Sequence, residues 1–325
     1  MDTRIDDLPT SQHFRLERLS EGVYAAIHRS GGWAIGNAGI VDLGDRTLVF
    51  DTTYSPQAGA DLRAAAEALF GRRVGLVVNS HWHSDHIWGN QAFDPTTTLV
   101  STAETRRQIV TTRGDEDLDA TLAGAEAHLA SWRARYAAAV DEEERCELAL
   151  WVDQWEATVA LEDILEVRVP NLAFTKRITF HGSVASAELI ELRGGHTTSD
   201  VVLWLPEARI AFMGDLLFVG CHPYLGDGDP DALRRALDAV LALDPQAVVP
   251  GHGPVGTAEN VAAMRGYVDT LDGLARQMIA AGEPEETVTA MAVPPPYDTW
   301  QLRMFFAANL RALYGRARSA SPTIS

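Results

Sequence analysis

Cysteine is nearly absent from the chain, with two in 325 residues, Cys146 and Cys221, and neither in a Cys-x-x-Cys pair. A disulfide framework is excluded, and a reducing compartment suits both thiols. Lysine is scarcer still, Lys176 standing alone, and 27 basic residues face 45 acidic ones for a formal charge of −18. Because no block of Lys or Arg offers a footprint for a phosphate backbone, nucleic acid and anionic membrane are poor partners and a small-molecule substrate is expected. Long apolar runs are missing too, none approaching the roughly eighteen residues that span a bilayer. The N-terminus, Met1 to Leu8, carries acids where a signal peptide needs positive charge, so a cytoplasmic protein is expected.

What is present is enough for a large core, since 46% of the residues are hydrophobic. Short, alternating, Val- and Tyr-rich segments predict a hairpin over Phe14 to Arg29 broken at Glu21-Gly22, and a second over Asn37 to Asp51 turning at Gly44-Asp45. A helix is expected over Pro56 to Phe70, closed by Gly71, then a buried strand over Val74 to Val78 and another over Thr97 to Ser101. The chain then turns helical for about sixty residues by its apolar period. Leu118, Leu122, Ala125, Leu129, Trp132, Tyr136 and Val140 make one stripe and Leu148, Trp151, Trp155 and Val159 a second, which predicts a helical hairpin. It separates two β-rich halves, so 103–165 is read as an insertion within a single domain of 1–325. A lid, a subunit interface for a homo-oligomer and simple packing are the roles its position allows, and the C-terminal helix is the other candidate interface.

Strands are expected again over Arg177 to Phe180, Ala187 to Arg193, Val201 to Leu205 and Ile210 to Met213. Asp229-Pro230 opens a helix as N-cap and first helical residue, Ala247 to Val249 is one more strand, and helices follow around Glu259 to Ala281 and Thr299 to Tyr314. The tail over 318–325 is expected to be disordered.

Chemistry concentrates in His81-Trp82-His83-Ser84-Asp85-His86, three imidazoles and a carboxylate directly after the strand ending at Val78. A polar turn draws on Gly, Asn, Ser and Pro far more than on three histidines. Imidazole and carboxylate are zinc ligands, and alternate residues of an extended segment point the same way, so His81 and His83 can reach one ion while Asp85 and His86 face a second. Three more candidates stand just past predicted strands beside glycines: His196, Asp215 and His252. Loops at one sheet edge are where sites are built.

This ordered set, Asp51, then His81-x-His83-x-Asp85-His86, then His196, Asp215 and His252, resembles the metallo-β-lactamase superfamily, with a match from Asn37 to Pro254. The resemblance implies an α/β fold, a four-layer αββα sandwich carrying the helical hairpin as an insertion. It implies two Zn²⁺ per chain, with iron or manganese as alternative occupants: His81, His83 and His196 on the first ion, Asp85, His86 and His252 on the second, Asp215 bridging, Asp51 behind the ligands. Gly195-His196-Thr197-Thr198-Ser199-Asp200 departs from the commoner Gly-His-Ser/Thr-Pro-Gly-Asp in loop shape, and the branch with cysteine in place of Asp215 is excluded by that residue. The implied activity is a metal-dependent hydrolase in which a metal-bridging hydroxide attacks the carbonyl of an ester, lactone or thioester, with β-lactam turnover as a side activity. A mononuclear iron sulfur dioxygenase and a phosphodiesterase share much of the motif and remain the alternatives, the charge of −18 opposing an RNA substrate. Asp85 is the candidate for proton transfer, and His222 or Tyr224, on the Gly220 to Gly228 loop, is expected to face substrate. Trp33, Trp82 and Trp88 are candidates for an apolar wall, with ordinary packing as the other reading.

Overall fold

The alternating opening segments pair as the sequence predicts. β1 (Phe14–Ser20) and β2 (Val23–His28) form an antiparallel hairpin, and β3 (Ala38–Asp42) and β4 (Thr47–Phe50) extend it. In this computed structural model residues 8–320 are described, so the acidic start of the chain, 1–7, and the last five residues lie outside the description. Helix α1 (Pro56–Phe70) starts where the Ser55 side chain accepts from the Ala58 N–H with proline in the first turn, and ends at Gly71. It returns the chain to β5 (Val74–Val78), parallel to β4; the one-turn helix α2 (Ser84–Ile87) and β6 (Thr98–Thr102) follow.

Next come α3 (Ala103–Thr112), α4 (Leu118–Ala138) and α5 (Glu142–Val159), then β7 (Leu172–Phe174), which completes a seven-stranded sheet in chain order. β8 (Arg177–His181), β9 (Ser186–Leu192), β10 (Asp200–Leu205), β11 (Ile210–Phe218) and β12 (Ala247–His252) build a five-stranded sheet ordered β12-β11-β10-β9-β8. α6 (Pro230–Leu241) joins β11 to β12, while α7 (Ala258–Ala281) and α8 (Met304–Ala320) close the chain.

The period of two along each strand sorts side chains between layers. Leu48 and Phe50 of β4 point between the sheets with Leu203, Phe212 and Val249 from the other side, whereas Val49 points out to Leu62 and Ala66 of α1. On the far sheet Val202 and Met213 face outward onto Leu233 and Leu237 of α6, Leu271 of α7 and Leu310 of α8. The order helix, sheet, sheet, helix is therefore the expected αββα sandwich. Each fully buried Leu, Val or Phe here contributes about 1.5–3 kcal/mol relative to exposure. Among the described residues no helix is long and apolar enough to cross a membrane.

Five features differ from the sequence expectation. β7 has three residues, too few to show a period, and gains its place by pairing with β6. β11 runs five residues beyond Met213, so Asp215 lies inside the strand and not past it. α8 begins at Met304 instead of Thr299, because Tyr297–Thr299 is a 3-10 turn and Leu302 takes a left-handed φ of 60°. At the C-terminal end, 318–320 continue α8, and the remainder of the expected disordered tail lies outside the described residues. The α4 stripe is buried at Leu118, Ala125 and Leu129, but Tyr136 and Val140 are exposed. That helix is therefore buried along its first half, while further on Trp132 stacks on Trp151 of α5.

Candidate metal centre

Each candidate ligand reaches the centre because a strand ends, or bulges, at one edge of the sandwich. β5 stops at Val78 and its continuation, Asn79-Ser80-His81, is pinned by Asp51 just past β4. The Asp51 carboxylate accepts from the Ser80 N–H at 2.7 Å and the Ser80 hydroxyl at 2.8 Å, and its backbone sits at a left-handed φ of 59°, a conformation Asp tolerates better than most residues. His83 is the extended N-cap of α2, whose single turn carries Asp85 and His86. The chain bends there.

His196 follows β9 on a loop fastened by Asp200, which accepts from the His196 and Thr197 N–H groups at 2.9 and 3.0 Å and from the Thr197 hydroxyl at 2.8 Å. Burial pushes the Asp200 carboxyl up to about 7. The Thr-Thr-Ser sequence thus closes the loop through hydroxyls. Asp215 follows Gly214, whose left-handed φ of 51° breaks the β11–β12 register. A Cβ on Gly251 of β12 would stand 1.8 Å from Asp215 Oδ1, so glycine is required where that carboxylate crosses the neighbouring strand. His252 is the last residue of β12.

These residues converge as two adjoining donor groups, His81, His83, His196 and Asp215, and Asp85, His86 and His252, with the donor atoms of each group within 4.8 Å of one another. Asp215 lies between them. Its Oδ2 is 3.3 Å from His196 Nε2, 4.0 Å from His81 Nε2 and 3.4 Å from His252 Nε2, and its Oδ1 is 3.1 Å from His86 Nε2. Asp85 Oδ2 is 3.1 Å from His252 Nε2, and His83 Nδ1 is 3.0 Å from His196 Nε2.

A bound cation suits this arrangement. His81 Nε2, His86 Nε2 and Asp215 Oδ1 are buried without a hydrogen-bond partner, an expense that a coordinated ion removes. Three of the imidazoles are also held from behind. His86 Nδ1 meets Asp51 Oδ2 at 2.8 Å, His81 Nδ1 meets the Ser80 hydroxyl at 2.9 Å, and His83 Nε2 meets Asp227 Oδ2 at 2.9 Å. With these nitrogens donating, the opposite nitrogen of each ring would present a lone pair to a bound ion, the pattern by which proteins orient metal-binding histidines. Nitrogen and carboxylate donors of this kind suit zinc.

The electrostatics agree. Burial, reinforced by the His86 and His83 rings, drives His81 well below its usual value, and burial brings His196 down to about 4. For His86 and His252 burial acts the same way but the carboxylates outweigh it: Asp85, Asp215 and Asp51 lift His86 well above its usual value, and Asp215 with Asp85 lifts His252 to about 10. Without metal, the second group stores protons where a cation would otherwise sit.

The centre opens into a cavity of about 620 Å³. Tyr224 lines it, with its ring 6.2 Å from that of His83 and 6.3 Å from that of His196. His222 does not: it is fully buried among Tyr267, Trp300 and Phe306, with Nδ1 2.9 Å from the Tyr267 hydroxyl. The backbone there pairs with Gln301, which fixes the His222 side chain toward the helices. Of the three tryptophans only Trp82 lines the cavity. Trp88 is buried against Tyr54 with Nε1–H donated to the Arg113 carbonyl, and Trp33 stacks on His13. From the insertion, Leu150, Trp151, Asp153 and Gln154 of α5 reach the cavity wall.

Two residues escaped the sequence. Asp227 gave one faint signal, an acid between Gly226 and Gly228. His28, the last residue of β2, lines the cavity with its ring 6.3 Å from that of His252, and burial lowers it to about 4.

Known proteins of the same build lie close by. A Bacteroides fragilis metallo-beta-lactamase type 2 is 35% identical over 109 residues, covering 32% of this chain and 44% of that protein. A hydroxyacylglutathione hydrolase of Erythrobacter litoralis is 33% identical over 100 residues, 29% of this chain and 39% of that protein. The chain thus spans less than half the length of either relative. Among solved structures, a metallo-beta-lactamase from Pontibacter korlensis superposes with a TM-score of 0.57 at 17% identity, over 79% of this chain and 99% of that one, a likeness of fold. With a family model matched over residues 31–252, a span that holds every candidate ligand, the chain belongs to the metallo-beta-lactamase superfamily.

Proposed function

We propose that this protein is a metal-dependent hydrolase that uses two zinc ions to break the acyl carbon–oxygen or carbon–sulfur bond of a small ester, lactone or thioester within the cytoplasm. The observation that carries the proposal is the complete second donor group, Asp85, His86 and His252, beside the first, with Asp215 between the two. A single-ion site has no use for it. His81, His83 and His196 would hold one ion, Asp85, His86 and His252 the other, and Asp215 both. Bound in this way, zinc lowers the pKa of a coordinated water from about 15.7 toward roughly 7 and polarises a carbonyl oxygen.

The rest of the task falls to the side chains. Asp51, Ser80 and Asp227 fix which imidazole nitrogen faces inward. Burial opposes ionisation of Asp85, but the adjacent His86 and His252 hold its carboxyl well below the usual range, so at neutral pH it is an acceptor at the cavity wall. As a weak base it can accept a hydrogen bond from water in the cavity and relay a proton toward the leaving group. Burial pushes the Tyr224 phenol up, keeping it protonated and able to donate to the oxyanion that develops on the carbonyl. Trp82 and Phe218 limit water beside the donors. The kinship with a hydroxyacylglutathione hydrolase supports an acyl substrate.

The test is a panel of esters, lactones, thioesters, β-lactams and phosphodiesters on protein of measured metal content. Two zinc ions per chain and turnover of carbonyl substrates are expected. One iron per chain with oxygen uptake on a persulfide, or cleavage of phosphodiesters alone, would overturn the proposal.

A further inference from the structure

A row of rings leads away from the donor atoms. The Tyr224 ring lies beside His83 and His196, that of Phe305 is 5.8 Å from Tyr224, and that of Trp151 is 5.8 Å from Phe305. The three come from separate segments, the loop after β11, the start of α8 and the middle of α5, and all line the one cavity. Leu150 and Leu302 flank them. Within the insertion, α5 is held over the cavity by two contacts six residues apart, Asp153 accepting from the Gly31 N–H at 2.6 Å and Glu147 accepting from the Arg303 N–H at 3.2 Å.

Charge on the same wall has one dominant sign. Beyond the metal-binding set, Asp115, Glu116, Asp153 and Asp227 line the cavity against a single arginine, Arg29. Three of these carboxylates have internal work: Asp227 orients His83, Asp153 binds Gly31, and Asp115 accepts from the Asp117 N–H at 2.8 Å and the Thr121 hydroxyl at 3.0 Å. These hydrogen bonds hold the three carboxylates in place as sources of negative potential. Away from the metal-binding groups, a carboxylate on the substrate's chain meets these acids and finds Arg29 as the one arginine on the wall, whereas an uncharged chain meets apolar rings.

We propose, building on the hydrolytic reading above, that the substrate is an uncharged apolar acyl compound whose chain lies along Tyr224, Phe305 and Trp151, and that the surrounding carboxylates turn away substrates whose chain bears a carboxylate. The insertion is then a specificity element. Glutathione conjugates and β-lactams, which carry carboxylates, fall in the disfavoured class.

Binding reads this separately from turnover. Alkanethiols coordinate zinc through sulfur, so 1-propanethiol, 1-hexanethiol, 6-mercaptohexanoate and 6-mercaptohexylamine can be titrated into zinc-loaded protein by tryptophan fluorescence or calorimetry. Expected are about fourfold tighter binding per buried methylene from propyl to hexyl and at least about tenfold weaker binding of the carboxylate than of hexanethiol. Trp151→Ala, or Phe305→Ala as a second variant on another element, should flatten the chain-length dependence, and Glu116→Gln should narrow the carboxylate penalty. No chain-length dependence, a carboxylate that binds as well as hexanethiol, or an ammonium ligand that binds tightest would each overturn the assignment. Hexanoyl and adipoyl thioesters complete the test. Thiols ranked as expected with no acyl compound hydrolysed would sink the hydrolase reading and leave the subsite, while hydrolysis indifferent to chain and charge would sink the subsite alone.

Discussion

Asp51→Asn is the sharpest perturbation of the centre, because it preserves shape and changes one hydrogen-bonding role. Asp51 is buried and its two oxygens accept from the Ser80 N–H, the Ser80 hydroxyl and His86 Nδ1. An asparagine can keep its oxygen on the Ser80 N–H, so the strand-to-loop path after β5 should survive. Its NH₂ group then faces His86 Nδ1, two donors meeting, unless the imidazole moves its proton to Nε2. That nitrogen is the one directed at Asp215 and the second donor group. Loss of a carboxylate behind a metal-binding histidine costs about 10–100-fold in affinity, or roughly 1.4–2.7 kcal/mol. The loss should fall on the ion that His86 would hold, since Asp51 meets His86 Nδ1 directly and makes no hydrogen bond to His83 or His196. Competition against a chromophoric zinc chelator resolves the two affinities, and circular dichroism checks the fold. Unchanged affinity for both ions in a folded Asp51→Asn protein would refute the role given to this residue.

Four further outcomes follow from the structure. Asp215→Ala should drop zinc below two per chain and abolish turnover, and a fully loaded, active variant would disprove the bridging role. In the metal-free protein His252 is raised from 6.5 to about 10; a raised cationic group contributes stability that is complete below 6.5 and is lost as pH climbs through about 10, so thermal stability of the metal-free form should fall over that window. By the same linkage zinc uptake near pH 7.5 should release protons, visible as heats that vary with buffer ionisation enthalpy, and zero release would contradict protonated His86 and His252. Phe212→Ala, opening the space between the sheets beside Phe50, should cost about 3–5 kcal/mol in denaturant unfolding of the metal-free protein, and less than about 1 kcal/mol would show that the two sheets do not depend on this contact.

Legibility in the sequence followed residue type and local order. His81, His83, Asp85 and His86 stood out because such residues are rare together, and His196, Asp215 and His252 because each stands at the end of a periodic segment beside glycine. Both hairpins and α1 were readable for the same reason, their signals being local. Asp227 was hidden because its partner, His83, is 144 residues away and nothing near it implies a metal. His222 misled in the opposite way: its neighbours placed it on the correct loop, but which side of the backbone faces the cavity is decided by pairing with Gln301. The bulge at Gly214 shifts Asp215 into a strand that the alternation alone ends too early. Long-range pairing is what a single sequence displays least.

The position of the donors at the edge of the sandwich has a mechanical consequence. Asp51, His81, His83, Asp85 and His86 come off the first sheet, and His196, Asp215 and His252 off the second. An ion held by His86 and His252 would rivet one sheet to the other, closing a loop of roughly 165 residues, which on chain-entropy grounds is worth about 5 kcal/mol as a cross-link. Both cysteines are free, Cys146 on the surface and Cys221 in the core. The tie that secreted domains make from sulfur is made here, on loading, from imidazole and carboxylate, and it can be undone by a chelator.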